Sequence, residues 1–239
     1  EGFPIDDLRR LAASMGEAAR AAGIAVVAAD TKVVERGKAD GLYVAASGLG
    51  LVRPEARLSP AGARPGDRVL VTGPIGDHGV AILIARHDLD LECDVESDSA
   101  PLAGLAGVLL TALGVDVHAM RDATRGGVAT VLNEIAEASA VGIAVEEADV
   151  PVREAVRGAC ELLGIDPLHM ANEGRLVAIV AGDRAEEALA ILRGRPDGAG
   201  AAIVGTVIDG PPGMVQVRTA IGGRRVLDRL SGDALPRIC

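Results

Sequence analysis

The sequence is nearly devoid of aromatic residues: 239 residues include one Phe, one Tyr and no Trp. Hydrophobic residues still make up 49%, so the core must be built from Ala, Val, Leu and Ile. Such side chains favour helices packed closely on sheet over aromatic-lined binding surfaces. Cysteine is scarce too. Cys93, Cys160 and Cys239 are far apart and odd in number, which gives neither a disulfide framework nor a zinc spacing. A reducing, cytoplasmic setting is the simplest expectation. Apolar runs such as LVAIVAG from Leu176 are too short to span a bilayer, and the start carries no signal-peptide pattern, so no membrane role is expected. Basic residues are outnumbered, 24 against 34 acidic, for a net charge of −10. That argues against nucleic acid as a partner, since phosphate neutralisation needs a clustered positive surface. It leaves nucleotides open, because a few local groups hold them.

What is present is an alternation of helical and strand patterns. Ile5, Leu8, Leu11, Met15 and Ala18 recur at helical spacing behind Pro4, Asp6 and Asp7, predicting a helix that ends near Gly23. IAVVAA (Ile24 to Ala29) and LYVAASGLGLV (Leu42 to Val52) read as strands, and the Pro/Gly-rich stretch from Pro54 to Gly66 as a linker. Beyond it, DRVLVTG, IAVE, RLVAIV, AAIVGTVI and MVQVRT read as strands. Helices are expected from about Val80, around Leu102 to Leu113, through Val128 to Ala138, from Pro151 to Leu163 and near Ala185 to Leu192. The fold class is α/β (α+β), with two domains and mixed sheets. Because the sequence opens at Glu1 directly into helical pattern, the first domain is expected to be N-terminally incomplete.

Four segments could carry chemistry. DTK (Asp30 to Lys32) follows an expected strand, where an Asp can hold Mg²⁺ and a Lys can meet phosphate; an Asx turn with a solvated lysine reads the same residues as well. RDATRGG (Arg121 to Gly127) opens a helix with two glycines after Asp122. Helix-start N–H groups make an anion site, and a tight turn needing positive φ is an equal alternative. GPIGDHG (Gly73 to Gly79) also joins a strand to a helix, but is neither a P-loop nor a dinucleotide fingerprint. NEGR (Asn172 to Arg175) sets Glu173 just before a strand, as a general base or as an ordinary acidic turn residue. His87, His118 and His169 are isolated, and Cys93 and Cys160 read as small hydrophobes. The sequence closes on LPRIC, its final residue Cys239.

In order, DTKVVERG, GPIGDHG, MRDATRGGVATVLNE, NEGRLVAIV and LPRIC resemble the HypE family of hydrogenase maturation proteins, across essentially the whole chain. The resemblance implies a two-domain fold like that of aminoimidazole ribonucleotide synthetase, a homodimer, and ATP with Mg²⁺. It implies that a HypF-type carbamoyltransferase loads Cys239 with a carbamoyl group. ATP-dependent dehydration then gives a thiocyanate, and the cyanide goes to iron on a HypC–HypD scaffold. Cys239, Glu173 and Lys32 are the implied catalytic residues. Asp30, Thr31, Asp122, Arg125, Gly126 and Gly127 are the implied nucleotide contacts, with Asp30 and Asp122 on the metal. The expected domains are 1–58, the later part of the ATP-binding domain; 59–228, the second α/β domain; and 229–239, a mobile tail. Competing readings are a non-catalytic docking module and another ATP-using kinase or synthetase of the same superfamily.

Overall fold

The strand patterns beyond the Pro/Gly-rich stretch assemble into one seven-stranded sheet in the order β2-β4-β1-β5-β3-β6-β7. The computed structural model describes residues 1–54, 56–87 and 94–229. Its strands are β1 (Arg68–Val71), β2 (Val117–Asp122), β3 (Gly142–Glu146), β4 (Leu176–Val180), β5 (Ala202–Ile208), β6 (Val215–Arg218) and β7 (Arg224–Val226). The helices are α1 (Ile5–Ala21), α2 (Asp77–His87), α3 (Ala103–Leu113), α4 (Gly127–Ser139), α5 (Glu154–Leu163) and α6 (Ala185–Arg193). Pairing is antiparallel except between β3 and β6, which makes the sheet mixed, as expected.

Alternation along the strands sends side chains to opposite faces. Val69, Val71, Val177 and Ile179 join Val128, Val131, Leu132 and Ile135 of α4 in one core. Leu70, Ala178 and Val180 meet Leu105, Leu109 and Leu113 of α3 and Leu192 of α6 in another. β4 is buried along its whole length, hence its unbroken apolar sequence. A third cluster joins Val80 and Leu83 of α2 to Val156, Ala159 and Cys160 of α5 and to Met170. No described helix is long and apolar enough to cross a membrane.

The chain divides into two compact units, Glu1–Val52 and Arg53–Cys239. In the first, α1 forms as its pattern predicts, with Asp6 and Asp7 in its first turn paired to Arg9 and Arg10. The two strands expected there do not form: Ile24 to Ala29 and Leu42 to Val52 run irregular and exposed. An apolar run becomes a strand only through ladder bonds to a neighbour, and the described residues of this unit hold no strand to supply them. The converse holds for β7. RRV lacks an alternating apolar pattern, yet pairs antiparallel with β6.

Candidate functional site

Three loops meet at one end of the neighbouring strands β2, β4 and β1, and Asn172 fastens them. Its side chain is 1% exposed. Oδ1 accepts from the Gly76 amide at 2.8 Å, and Nδ2 donates to the carbonyls of Ala123 at 2.9 Å and Met170 at 3.0 Å. One amide thus ties the GPIG turn to the RDATRGG turn and to the segment leading into Glu173. A buried amide meeting its donors and acceptors in three segments fixes their relative positions.

The corner beneath Glu173 is rich in charge. Arg175 donates from Nε to the Pro74 carbonyl at 2.7 Å and from a terminal nitrogen to the Gly174 carbonyl at 3.0 Å. The same guanidinium lies 3.8 Å from Asp77 and 3.5 Å from Asp98. Asp77 begins α2, faces Arg153 at 3.3 Å, and has a side chain only 1% exposed. Burial pushes its carboxyl above the usual aspartate range, opposed by Arg153 and Arg175 and reinforced by Asp98. Asp98 accepts the Glu173 amide at 3.0 Å. His78, in the first turn of α2, meets the Ser97 hydroxyl at 2.8 Å.

The RDATRGG turn is built differently. Asp122 ends β2 exposed, with one oxygen accepting the Thr124 hydroxyl at 2.9 Å, and Arg125 is exposed. Arg121 pairs with Glu134 of α4. Gly126 and Gly127 have φ of 69° and 62°, a region costly for residues with a Cβ. A Cβ on Gly127 would lie 2.5 Å from the carbonyl oxygens of Leu168 and Met170, and one on Gly126 would overlap Thr130. The turn itself therefore requires both glycines. The Gly127 amide donates to the Thr124 carbonyl at 3.1 Å, closing the turn as α4 begins.

Asp30, Thr31 and Lys32 belong to the first unit and are exposed, with the adjacent Thr31 amide donating to the Asp30 side chain at 2.8 Å. Glu173 is half-buried on its turn, beside Asp98 and Arg175. Cys239 and Cys93 lie outside the described residues. Cys160 sits in the third core, its thiol pushed up to about 11 by burial and then by Asp166, an unreactive setting. The chain approaching Cys239 is anchored as far as Arg229. Asn133 of α4 donates to the Leu227 carbonyl at 2.8 Å, His169 meets the Asp228 carbonyl at 3.0 Å, and Arg229 pairs with Glu137. Asn172, Asp77, Asp98 and Arg175 are the structural residues that motif reading passed over.

Residues 64–218 match the family described as AIR synthase related protein, C-terminal domain. Carbamoyl dehydratase HypE of Azotobacter vinelandii is 52% identical over 239 residues, a match covering all of this chain and 70% of that protein. A crystal structure of the hydrogenase maturation protein HypE in complex with ATP superposes with a TM-score of 0.90 at 46% identity, covering 100% of this chain and 72% of that one. HypE in a HypE–HypF complex superposes with a TM-score of 0.86 at 44% identity, covering 96% and 74%. The chain belongs to the HypE family of carbamoyl dehydratases, within the AIR synthase related proteins.

Proposed function

We propose that this protein dehydrates a carbamoyl group carried on Cys239 to a thiocyanate at the expense of ATP, supplying cyanide for [NiFe]-hydrogenase maturation. The observation that carries this reading is the match to carbamoyl dehydratase HypE along the whole chain. The ATP complex of one related HypE and the HypF complex of another supply the nucleotide and the first partner.

A thiocarbamate oxygen is a poor leaving group, and its phosphate ester is a good one. In the proposed sequence the carbamoyl oxygen on Cys239 attacks the terminal phosphorus of ATP and ADP departs. One nitrogen proton is then removed. Loss of the second, with cleavage of the C–O bond, expels phosphate and leaves the nitrile on sulfur. Glu173 is the base of this proposal: it stands on a turn held from both sides, as proton abstraction requires. Lys32 is its second proton-handling residue. Asp30, Thr31, Asp122, Arg125, Gly126 and Gly127 are assigned to the nucleotide, the two glycines letting it approach the backbone.

Among the described residues no three His, Cys, Asp or Glu side chains are grouped to hold a metal. Mg²⁺ on a nucleotide takes only one or two carboxylates, the phosphates and water completing its shell. Exposed Asp122, with one oxygen accepting from Thr124, suits that role, with Asp30 as the second carboxylate of the proposal. Mg²⁺ would offset charge on the phosphates.

A HypC–HypD iron scaffold as acceptor, a homodimer, and a reducing, cytoplasmic setting that keeps Cys239 a free thiol complete the proposal. The test is to incubate the protein with the HypF-type carbamoyltransferase, carbamoyl phosphate and ATP, and to map its peptides by mass spectrometry. The Cys239 peptide should gain a carbamoyl group and then lose one water when ATP is supplied. An unmodified Cys239 overturns the reading.

A further inference from the structure

We propose that Asp98 is a positioning residue for Glu173, holding the catalytic turn through the Glu173 amide and through Arg175. The proposal rests on the reading of Glu173 as the proton-abstracting base.

Asp98 lies on the irregular segment ahead of α3, where an acidic side chain would ordinarily point into water. Its side chain is 0% exposed instead. Burying a carboxylate is costly unless it is paired and hydrogen-bonded. Here one oxygen accepts the Glu173 amide at 3.0 Å, and the other, with no hydrogen-bond partner, lies 3.5 Å from Arg175 Nε as an ion pair. The Ala100 amide donates to the Glu173 carbonyl at 3.3 Å, so the segment grips Glu173 by both of its backbone polar groups. The fit continues at the next residue. A Cβ on Gly174 would overlap the Asp98 carbonyl oxygen, and only glycine allows the two backbones to lie that close.

Arg175 extends the hold. Its Nε donates to the Pro74 carbonyl at 2.7 Å, and its planar fork stiffens that link in a way a lysine could not. Asp98 therefore fixes the Glu173 backbone directly and sets its charge beside the cation that locks the neighbouring GPIG turn. All of these contacts leave the Glu173 carboxylate itself out. That is the arrangement expected where a turn is rigid so that one side chain can be aimed.

The test is a double-mutant cycle on the full-length protein carbamoylated at Cys239, with dehydration followed in single turnovers by mass spectrometry and melting curves run in parallel. Asp98→Asn should slow the dehydration step about 10- to 100-fold, as misplacement of a catalytic group does, with KM for ATP unchanged within about threefold. In a Glu173→Gln background the same change should cost almost nothing further, because a positioning residue has nothing left to position. Full speed in Asp98→Asn, or an equal loss in both backgrounds, overturns the positioning role. A Glu173→Gln protein as fast as wild type overturns the base assignment instead, so the two failures are distinct. Should Asp98→Asn lose its cooperative melting transition, Arg175→Lys carries the same cycle. It keeps the charge beside Asp98 and Asp77 and removes the fork, with about tenfold slowing expected in the wild-type background and none in Glu173→Gln.

Discussion

Two glycine-bearing turns lead from strand to helix in the second unit, and they distribute their charged groups in opposite ways. Between β1 and α2 the chain passes Gly73 and Gly76 and buries Asp77 against Arg153 and Arg175. Between β2 and α4 it passes Gly126 and Gly127 and leaves Asp122 and Arg125 in solvent. The first turn is held from inside, by Arg175 on the Pro74 carbonyl and Asn172 on the Gly76 amide, although one oxygen of buried Asp77 has no hydrogen-bond partner. The second is held through its backbone, by Asn172 on the Ala123 carbonyl and by the Gly127 amide on the Thr124 carbonyl, while the Asp122 and Arg125 side chains stay exposed. Glycine-rich turns of similar look in sequence thus divide into a foundation and a face. Asn172 and the Glu173 turn lie where the two are joined.

Breaking that junction should have the largest effect. Asn172→Leu keeps the bulk but removes three hydrogen bonds to separate segments. Each orphaned buried group costs about 1–3 kcal/mol. A loss of roughly 3–5 kcal/mol is expected, seen as a melting temperature lower by about 10 °C or more. Dehydration should fall with it even well below the melting transition, because Glu173 and the RDATRGG turn lose their common reference.

Gly127→Ala comes next. The new Cβ meets two carbonyl oxygens at 2.5 Å on a backbone with φ of 62°. Strain and overpacking each cost about 1–3 kcal/mol. Urea melts should show a loss of about 2–4 kcal/mol, whereas Gly107→Ala on α3, with open space around the new methyl, should match wild type or exceed it.

The uneven legibility of these features has a physical cause. β1, β4, β5 and helices α4 and α6 could be read because their signals are local: period-2 or period-3.6 apolar patterns closed by glycine or proline. The foundation could not. Asp98 sits in SDSA, an all-polar stretch apart from its alanine that reads as loop. Its meaning comes from Glu173, 75 positions away. Asn172 is visible in NEGR, but its partner Gly76 is 96 positions distant, and no spacing rule links them. The expected strands at Ile24 to Ala29 and Leu42 to Val52 failed for the same reason in reverse, since an apolar pattern records a strand's tendency and not its partner. The DTK and RDATRGG motifs were legible as turns with exposed charges.

Asp77 should give a smaller effect whose sign depends on pH. Its folded carboxyl titrates above the ordinary value of 3.8, chiefly because it is buried. Between the unfolded and folded pKa values the native state binds more protons, so stability falls as pH rises through that window. Asp77→Asn mimics the protonated form and abolishes this contribution. Urea midpoints measured from pH ~4 upward should show the variant gaining on wild type as pH rises. A difference that stays flat, or grows in favour of wild type, would mean that Arg153 and Arg175 outweigh the burial of the charge.

The least effect on stability is expected at the exposed face, and there the comparison is sharpest. Asp122 and Arg125 are exposed, and the sole side-chain contact of Asp122 among the described residues is with the Thr124 hydroxyl. Surface substitutions of this kind change stability by no more than about 0.5 kcal/mol, so Asp122→Asn and Arg125→Ala should melt like wild type. If this turn faces the nucleotide, the same variants should weaken ATP binding about tenfold or more in calorimetry, with Asp122→Asn also raising the Mg²⁺ concentration needed for half-maximal dehydration. If ATP titrations of both variants match wild type, the turn is structural throughout. The nucleotide contacts would then have to be sought among other residues, beginning with Asp30, Thr31 and Lys32.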